Sequence, residues 1–221
     1  MNVTEIVSHL RAKGLTYCGR PGKLETLHKL ATQVEAADVA GIFLEAGVAM
    51  GGSASVLART KRLERELRLF DVFALLPPPG PQDGDRAQVV YDTFKRGRAT
   101  TTTDVNYLRR AEDLLSFTIE NMREVGVEPE RDNVTFVKGL YEDTLFLDAP
   151  VAFAHIDCDW FDSVNTCIDR IVDFVSPQGI ILFDDYHSFE GCQRAVDAWL
   201  ARDTRFQVIH QEWTLAAARK P

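Results

Sequence analysis

Gly179-Ile-Ile-Leu-Phe-Asp-Asp-Tyr-His187 is an apolar run of strand length that ends in two adjacent carboxylates. A strand buried on both faces of a parallel sheet reads as such a run, and open α/β sheets bind ligands where their strands end at the carboxyl side. Asp184 and Asp185 are therefore expected at the edge where chemistry takes place. Val151-Ala-Phe-Ala-His-Ile-Asp-Cys-Asp159 has the same form and delivers Asp157 and Asp159. Carboxylates gathered at one edge repel one another unless something positive sits among them, and a hard divalent cation answers that need.

Outward from these two runs, strands alternate with helical periodicity. Gly41–Ala46, Leu67–Ala74 and Asn133–Lys138 read as three earlier strands. Helical spacing follows at residues 54–68, again from Tyr107 to Val125, and between the last two strands at Val164, Ile168, Ile171, Val172 and Val175. Cys192, Ala195, Val196, Trp199 and Leu200 mark a further helix, and Phe206–His210 with Thr214–Ala218 form a terminal hairpin. Right-handed βαβ crossovers then give an α/β fold with a mostly parallel seven-stranded sheet, helices on both faces and a C-terminal antiparallel hairpin. Residues 1–37 carry two amphipathic helices that suit packing on the core or on a second subunit, so a homodimer is an expectation. Residues 77–104, rich in Pro, Gly, Asp and Thr, read as a lid-like loop with a helical island at Val89–Phe94.

The 221 residues fit one domain. A formal net charge of −8 argues against nucleic acid or an anionic membrane as a general partner. The N-terminus lacks the charged and apolar regions of a secretion signal and no apolar run reaches bilayer length, so a cytoplasmic protein is expected. Four scattered cysteines, with no Cys-x-x-Cys pair, suggest neither a zinc knuckle nor a disulfide framework.

The first strand leads into Glu45-Ala-Gly47-Val-Ala-Met-Gly51-Gly52-Ser53. Glycines after a first strand admit a ligand close to the backbone, and the next helix N-terminus offers free N–H groups to an anion. A dinucleotide fingerprint from Gly47 needs glycine at Ala49, which weakens a dehydrogenase reading. Glu45 can bind an ammonium group and Ser53 a carboxylate, the two ends of an amino-acid-bearing nucleoside. Asp71, ending the second strand, is placed to accept the hydroxyls of a ribose.

With Phe70-Asp-x-Phe-x-x-Leu-Pro-Pro, Val137-Lys-Gly-x-x-Glu-Asp-Thr-Leu, Ile156-Asp-x-Asp-Trp-Phe-Asp-Ser and Phe183-Asp-Asp-Tyr, the chain resembles the macrocin O-methyltransferase (TylF-like) family over roughly residues 37–200. The resemblance implies a class I, Rossmann-like fold and a metal-dependent O-methyltransferase using S-adenosylmethionine and Mg²⁺ on a hydroxyl of a sugar, saccharide or glycosylated natural product. It implies cofactor contacts at Glu45, Gly47, Ser53, Asp71 and Gly139, and metal ligands at Asp157, Asp184 and Asp185. Some relatives carry a histidine three residues after the first metal aspartate, where Trp160 stands here. The proton acceptor is therefore sought in Asp157 or His187, with Asp159 in a substrate or supporting role and His155 as a core histidine. A metal-dependent hydrolase on the same carboxylates and a non-catalytic adenosine-binding module are the alternatives.

Overall fold

A computed structural model describes residues 1–221. Two helices come first, α1 (Val3–Lys13) and α2 (Lys23–Ala36), then β1 (Ile42–Ala46), α3 (Gly52–Thr60) and β2 (Leu67–Asp71). The chain continues through α4 (Gly84–Lys95), α5 (Thr102–Arg110), α6 (Leu114–Glu124), β3 (Val134–Lys138) and the short α7 (Tyr141–Thr144). It closes with β4 (Val151–Ile156), α8 (Phe161–Ile171), β5 (Val175–Phe183), α9 (Glu190–Arg202), β6 (Phe206–Gln211) and β7 (Leu215–Arg219).

The strands form one seven-stranded sheet in the order β3-β2-β1-β4-β5-β7-β6. The first five run parallel, and β7 is antiparallel to both of its neighbours. Alternate side chains divide the core between the two faces. Phe43 and Phe153 pack 5.5 Å apart in the layer that holds α1, α2, α3 and α6. Leu44, Ala154 and Ile181 point into the other layer, against α8 and α9. The apolar faces of α1 and α2 (Ile6, Leu10, Leu24, Leu27, Val34) are buried in that first layer, within the same chain.

Four local expectations change. The 77–104 segment is largely helical: α4 fills its middle and α5 begins at its end. The periodic run 107–125 is two helices joined by a single 3-10 turn at Ala111–Asp113. The first of them starts early because Thr101 and Asp104 form a capping box, the hydroxyl accepting from Asp104 N at 3.1 Å and the carboxylate from Thr101 N at 2.9 Å. The third helix, α3, stops at Thr60, well short of Arg68. Finally, Val175 belongs to β5, whose pairing with β4 shifts between Val151 and Phe153. Pro177 has no N–H for the ladder and Gln178 sits at φ 66, so Ser176–Gly179 forms an irregularity inside the strand.

From β1 the chain moves outward through β2 to β3, then returns to place β4 on the other side of β1. The reversal opens a crevice between the carboxyl ends of β1 and β4, where doubly wound sheets hold their ligands. Asp157 is fixed there by its own N–H, which donates to Ala46 O at 2.8 Å.

Candidate active site

A cleft of about 830 Å³ opens at this crevice. Gly47, Ala49, Asp71 and Gly139 line one side, Asp157, Asp159, Asp184 and Asp185 the floor, and residues of α4, α5 and the Trp160 loop the other side.

The side that carries Gly47 and Asp71 is built on a strained turn. Ala49 lies at φ 44 and Phe73 at φ 47, a left-handed conformation that costs a non-glycine residue on the order of 1–3 kcal/mol. Asp71 holds both in place. Its Oδ2 accepts from Val48 N at 2.7 Å and Ala49 N at 2.9 Å, and its Oδ1 from Phe73 N at 2.6 Å. Burial raises the proton affinity of Asp71, and these three N–H groups counter it. Alanine at 49 thus adopts the backbone that a glycine would have supplied. Gly47, at φ 93, is required by proximity: a Cβ there would stand 1.8 Å from Asp157 O.

Two of the expected cofactor residues lie elsewhere. Glu45 is fully buried, bonds to His155 Nδ1 at 2.7 Å through Oε1, and leaves Oε2 without a partner. Ser53 is buried within α3. Neither lines the cleft. The Gly51-Gly52 pair serves close packing, since a Cβ on Gly52 would come within 2.6 Å of Thr16 Cβ.

On the floor, one ligand atom each from Asp157, Asp184 and Asp185 fall within 4.8 Å of one another. Burial and the neighbouring carboxylates Asp184 and Asp185 push the Asp157 carboxyl well above the ordinary range. Burial and Asp185 do the same to Asp159, and burial and Asp184 to Asp185. Asp185 Oδ2 is buried with no hydrogen-bond partner. An all-oxygen set with an unpartnered carboxylate oxygen, in which crowding disfavours the charged form, fits a hard divalent cation such as Mg²⁺.

Asp184 alone is held anionic. Lys23, only 8% exposed, donates from Nζ to its carboxylate and, at 3.0 Å, to its main-chain oxygen. Burial disfavours the charged lysine, but Asp184 and Asp185 outweigh it and raise its pKa. From below, His155 Nε2 stands 3.9 Å from Asp184 Oδ1, a distance of charge attraction. Burial would lower the His155 pKa, but Asp184 and Glu45 together raise it to about 10, so a cation sits between two carboxylates. His155 is thus more than a core residue. His187, by contrast, is exposed, packs edge-on to Tyr186 and does not line the cleft.

Residues 10–214 match the family model described as Macrocin-O-methyltransferase (TylF). The chain belongs to that family. It is accordingly an O-methyltransferase, and the expected class I architecture is the one observed. Similar solved structures agree on the fold. The O-methyltransferase NovP has a TM-score of 0.72 at 21% identity, covering 96% of this chain and 88% of that one. CalS11, the calicheamicin methyltransferase, has a TM-score of 0.65 at 16% identity, covering 98% and 91%. An O-methyltransferase from Bacillus cereus in complex with SAH has a TM-score of 0.57 at 15% identity, covering 99% and 90%. No curated protein sequence matches.

In this macrocin O-methyltransferase family member, the residues that sequence reasoning missed come from the N-terminal segment. Lys23 is one and Tyr17 another; Tyr17 packs edge-to-face with Phe94 and Tyr107, centroids 5.7–6.3 Å apart, and the three line the cleft. One clue to Lys23 was available. It occupies the first position of α2, where the helix dipole mildly disfavours a cation.

Proposed function

We propose that the protein transfers a methyl group from S-adenosylmethionine to a hydroxyl of a sugar or glycosylated natural product, with a divalent metal, Mg²⁺, at the carboxylate floor. The observation that carries this is the contact of the Gly47 turn with the Asp157 backbone, which puts a nucleoside-binding turn and a cation-binding cluster in one cleft. The similar structures include an enzyme described as a TDP-rhamnose 3'-O-methyltransferase (TM-score 0.56, 16% identity) and one complexed with SAH, which supports the acceptor class and the methyl donor.

In this scheme the Val48–Ala49 turn, held by Asp71, and Gly139 bind the donor. Asp157, Asp184 and Asp185 would hold the metal, which supplies polarisation of the acceptor hydroxyl and lowers its pKa. Lys23 and His155 keep Asp184 ionised and oriented. Asp159, in the cleft at φ 60 and outside the ligand trio, accepts the hydroxyl proton. Alignment of the hydroxyl with the methyl group then falls to the aromatic wall of Tyr17, Phe94 and Tyr107, which also excludes water. A hydrolase would leave the Gly47 turn and Asp71 without a task, and a non-catalytic module would have no use for the carboxylate floor.

Incubation with methyl-labelled S-adenosylmethionine, Mg²⁺ and a panel of glycosides tests the reaction. Labelled glycoside is the expected product; failure to bind the donor at all would exclude methyl transfer.

A further inference from the structure

Asp83 is 1% exposed and immediately precedes α4. Its Oδ1 accepts from Phe161 N at 2.5 Å and its Oδ2 from Gly80 N at 2.7 Å. Phe161 N belongs to the first turn of α8, a helix whose own N-cap residue, Trp160, supplies no side-chain bond. Asp83 therefore caps α8 from a distant part of the chain and places a negative charge at the positive end of that helix. The start of α9 closes over the same carboxylate. A Cβ on Gly191 would lie 1.9 Å from Asp83 Oδ1 and 2.9 Å from Phe161 N. Two bonds flank this joint: Trp160 Nε1 donates to Pro77 O at 2.9 Å, and Arg194 Nη1 to Gln82 O at 3.2 Å.

The joined parts are the carboxylate floor of the cleft and the wall beside it. The loop before α8 carries Asp157 and Asp159, and the turn before α9 follows Asp184 and Asp185. Arg86, Val90, Thr93 and Phe94 of α4 line the acceptor side. Within α4 only Ala87 is fully buried, and Phe94 packs its far end against Tyr17 and Tyr107, so the near end of the helix depends on its root at Asp83.

We propose that Asp83 is a positioning residue for methyl transfer, the clasp that sets the acceptor-lining helix α4 in register with the Asp157–Asp159 loop, a role that rests on the acceptor binding beneath α4. Asp83→Ala removes both bonds. Asp83→Asn keeps an oxygen for Phe161 N and loses the second acceptor. Gly191→Ala displaces the carboxylate from the other side without touching Asp83.

The test is hydrogen exchange followed by mass spectrometry on the full chain with S-adenosylhomocysteine and Mg²⁺, alongside calorimetric titration of each ligand. Asp83→Ala and Gly191→Ala are expected to speed exchange at least tenfold in residues 84–95 and 157–163 and to weaken Mg²⁺ binding several-fold. The 42–60 region and the S-adenosylhomocysteine affinity should stay within twofold of the parent. Asp83→Asn should fall between parent and Asp83→Ala. Unchanged exchange in 84–95, or a uniform rise across the sheet with loss of the nucleoside, would overturn the clasp. Failure of the parent protein to bind S-adenosylhomocysteine would refute the methyltransferase reading, while the exchange pattern would still decide the clasp.

Discussion

Lys23 and Asp184, 161 residues apart in sequence, form an ion pair that solvent barely reaches, with exposures of 8% and 4%. It ties α2 to the carboxylate floor, so the N-terminal helices are part of the site. Removing one partner of a buried pair typically costs about 3–5 kcal/mol, and His155, 3.9 Å from the same carboxylate, puts the loss here toward the lower end. Lys23→Met should lower the urea-unfolding free energy in EDTA by about that amount, and Asp184→Asn in the same chain should recover most of it. A loss below about 1 kcal/mol in the single variant would show that the pair is dispensable.

Asp71 satisfies three backbone N–H groups around a strained turn. Asp71→Ala leaves them unpaired, at about 1–3 kcal/mol for each buried group that water does not reach. S-Adenosylmethionine affinity, measured by calorimetry, is expected to fall at least tenfold, with a lower midpoint of thermal unfolding. An unchanged dissociation constant would remove Asp71 and its turn from the donor site.

Gly47→Ala forces a Cβ into Asp157 O and asks alanine to adopt φ 93. The clash cannot be relieved without moving Asp157 away from β1. Donor binding and methyl transfer should both fall by more than a factor of about 100, assayed on folded protein. Retention of one function at full strength would separate the two halves of the cleft.

Acid stability should carry a signature of Asp203. Bonds from Arg205, with further ones from Trp199 and the Arg205 N–H, lower its pKa to about 2, against about 3.9 in an unfolded chain. The folded state therefore binds fewer protons than the unfolded one between these values. The stabilisation is complete above about pH 4 and is lost as pH falls toward 2. Asp203→Asn should flatten the pH dependence of the unfolding free energy in that window and leave it unchanged above pH 5. An identical acid limb would contradict the depressed pKa.

Much of the sheet is legible in the sequence because β4 and β5 are buried on both faces and must be apolar throughout, while the two aspartate pairs mark their ends. The hairpin follows from alternation near the C-terminus. Tertiary override accounts for most of what is not legible. Lys23 looks like a solvated helix residue until the fold sets it against Asp184. The pairing of Glu45 with His155 comes from the register of β1 on β4, which a single strand does not reveal. His187 continues the motif in sequence, but the turn after Asp185 directs it to solvent. The 77–104 segment shows α4 only as the island at Val89–Phe94, because Gly, Asp and Pro surround a helix with a single fully buried residue and so a weak periodicity.

The most direct measurement pairs binding of S-adenosylmethionine with methyl transfer to glycosides, each with Mg²⁺ and with EDTA, in the parent and in Asp185→Asn. Donor affinity should stay within about twofold in all four conditions, while transfer should occur in the parent with Mg²⁺ and drop by more than a factor of about 100 in the other three. Full turnover in EDTA, or in Asp185→Asn, would contradict a metal-assisted reaction at the Asp157–Asp184–Asp185 floor.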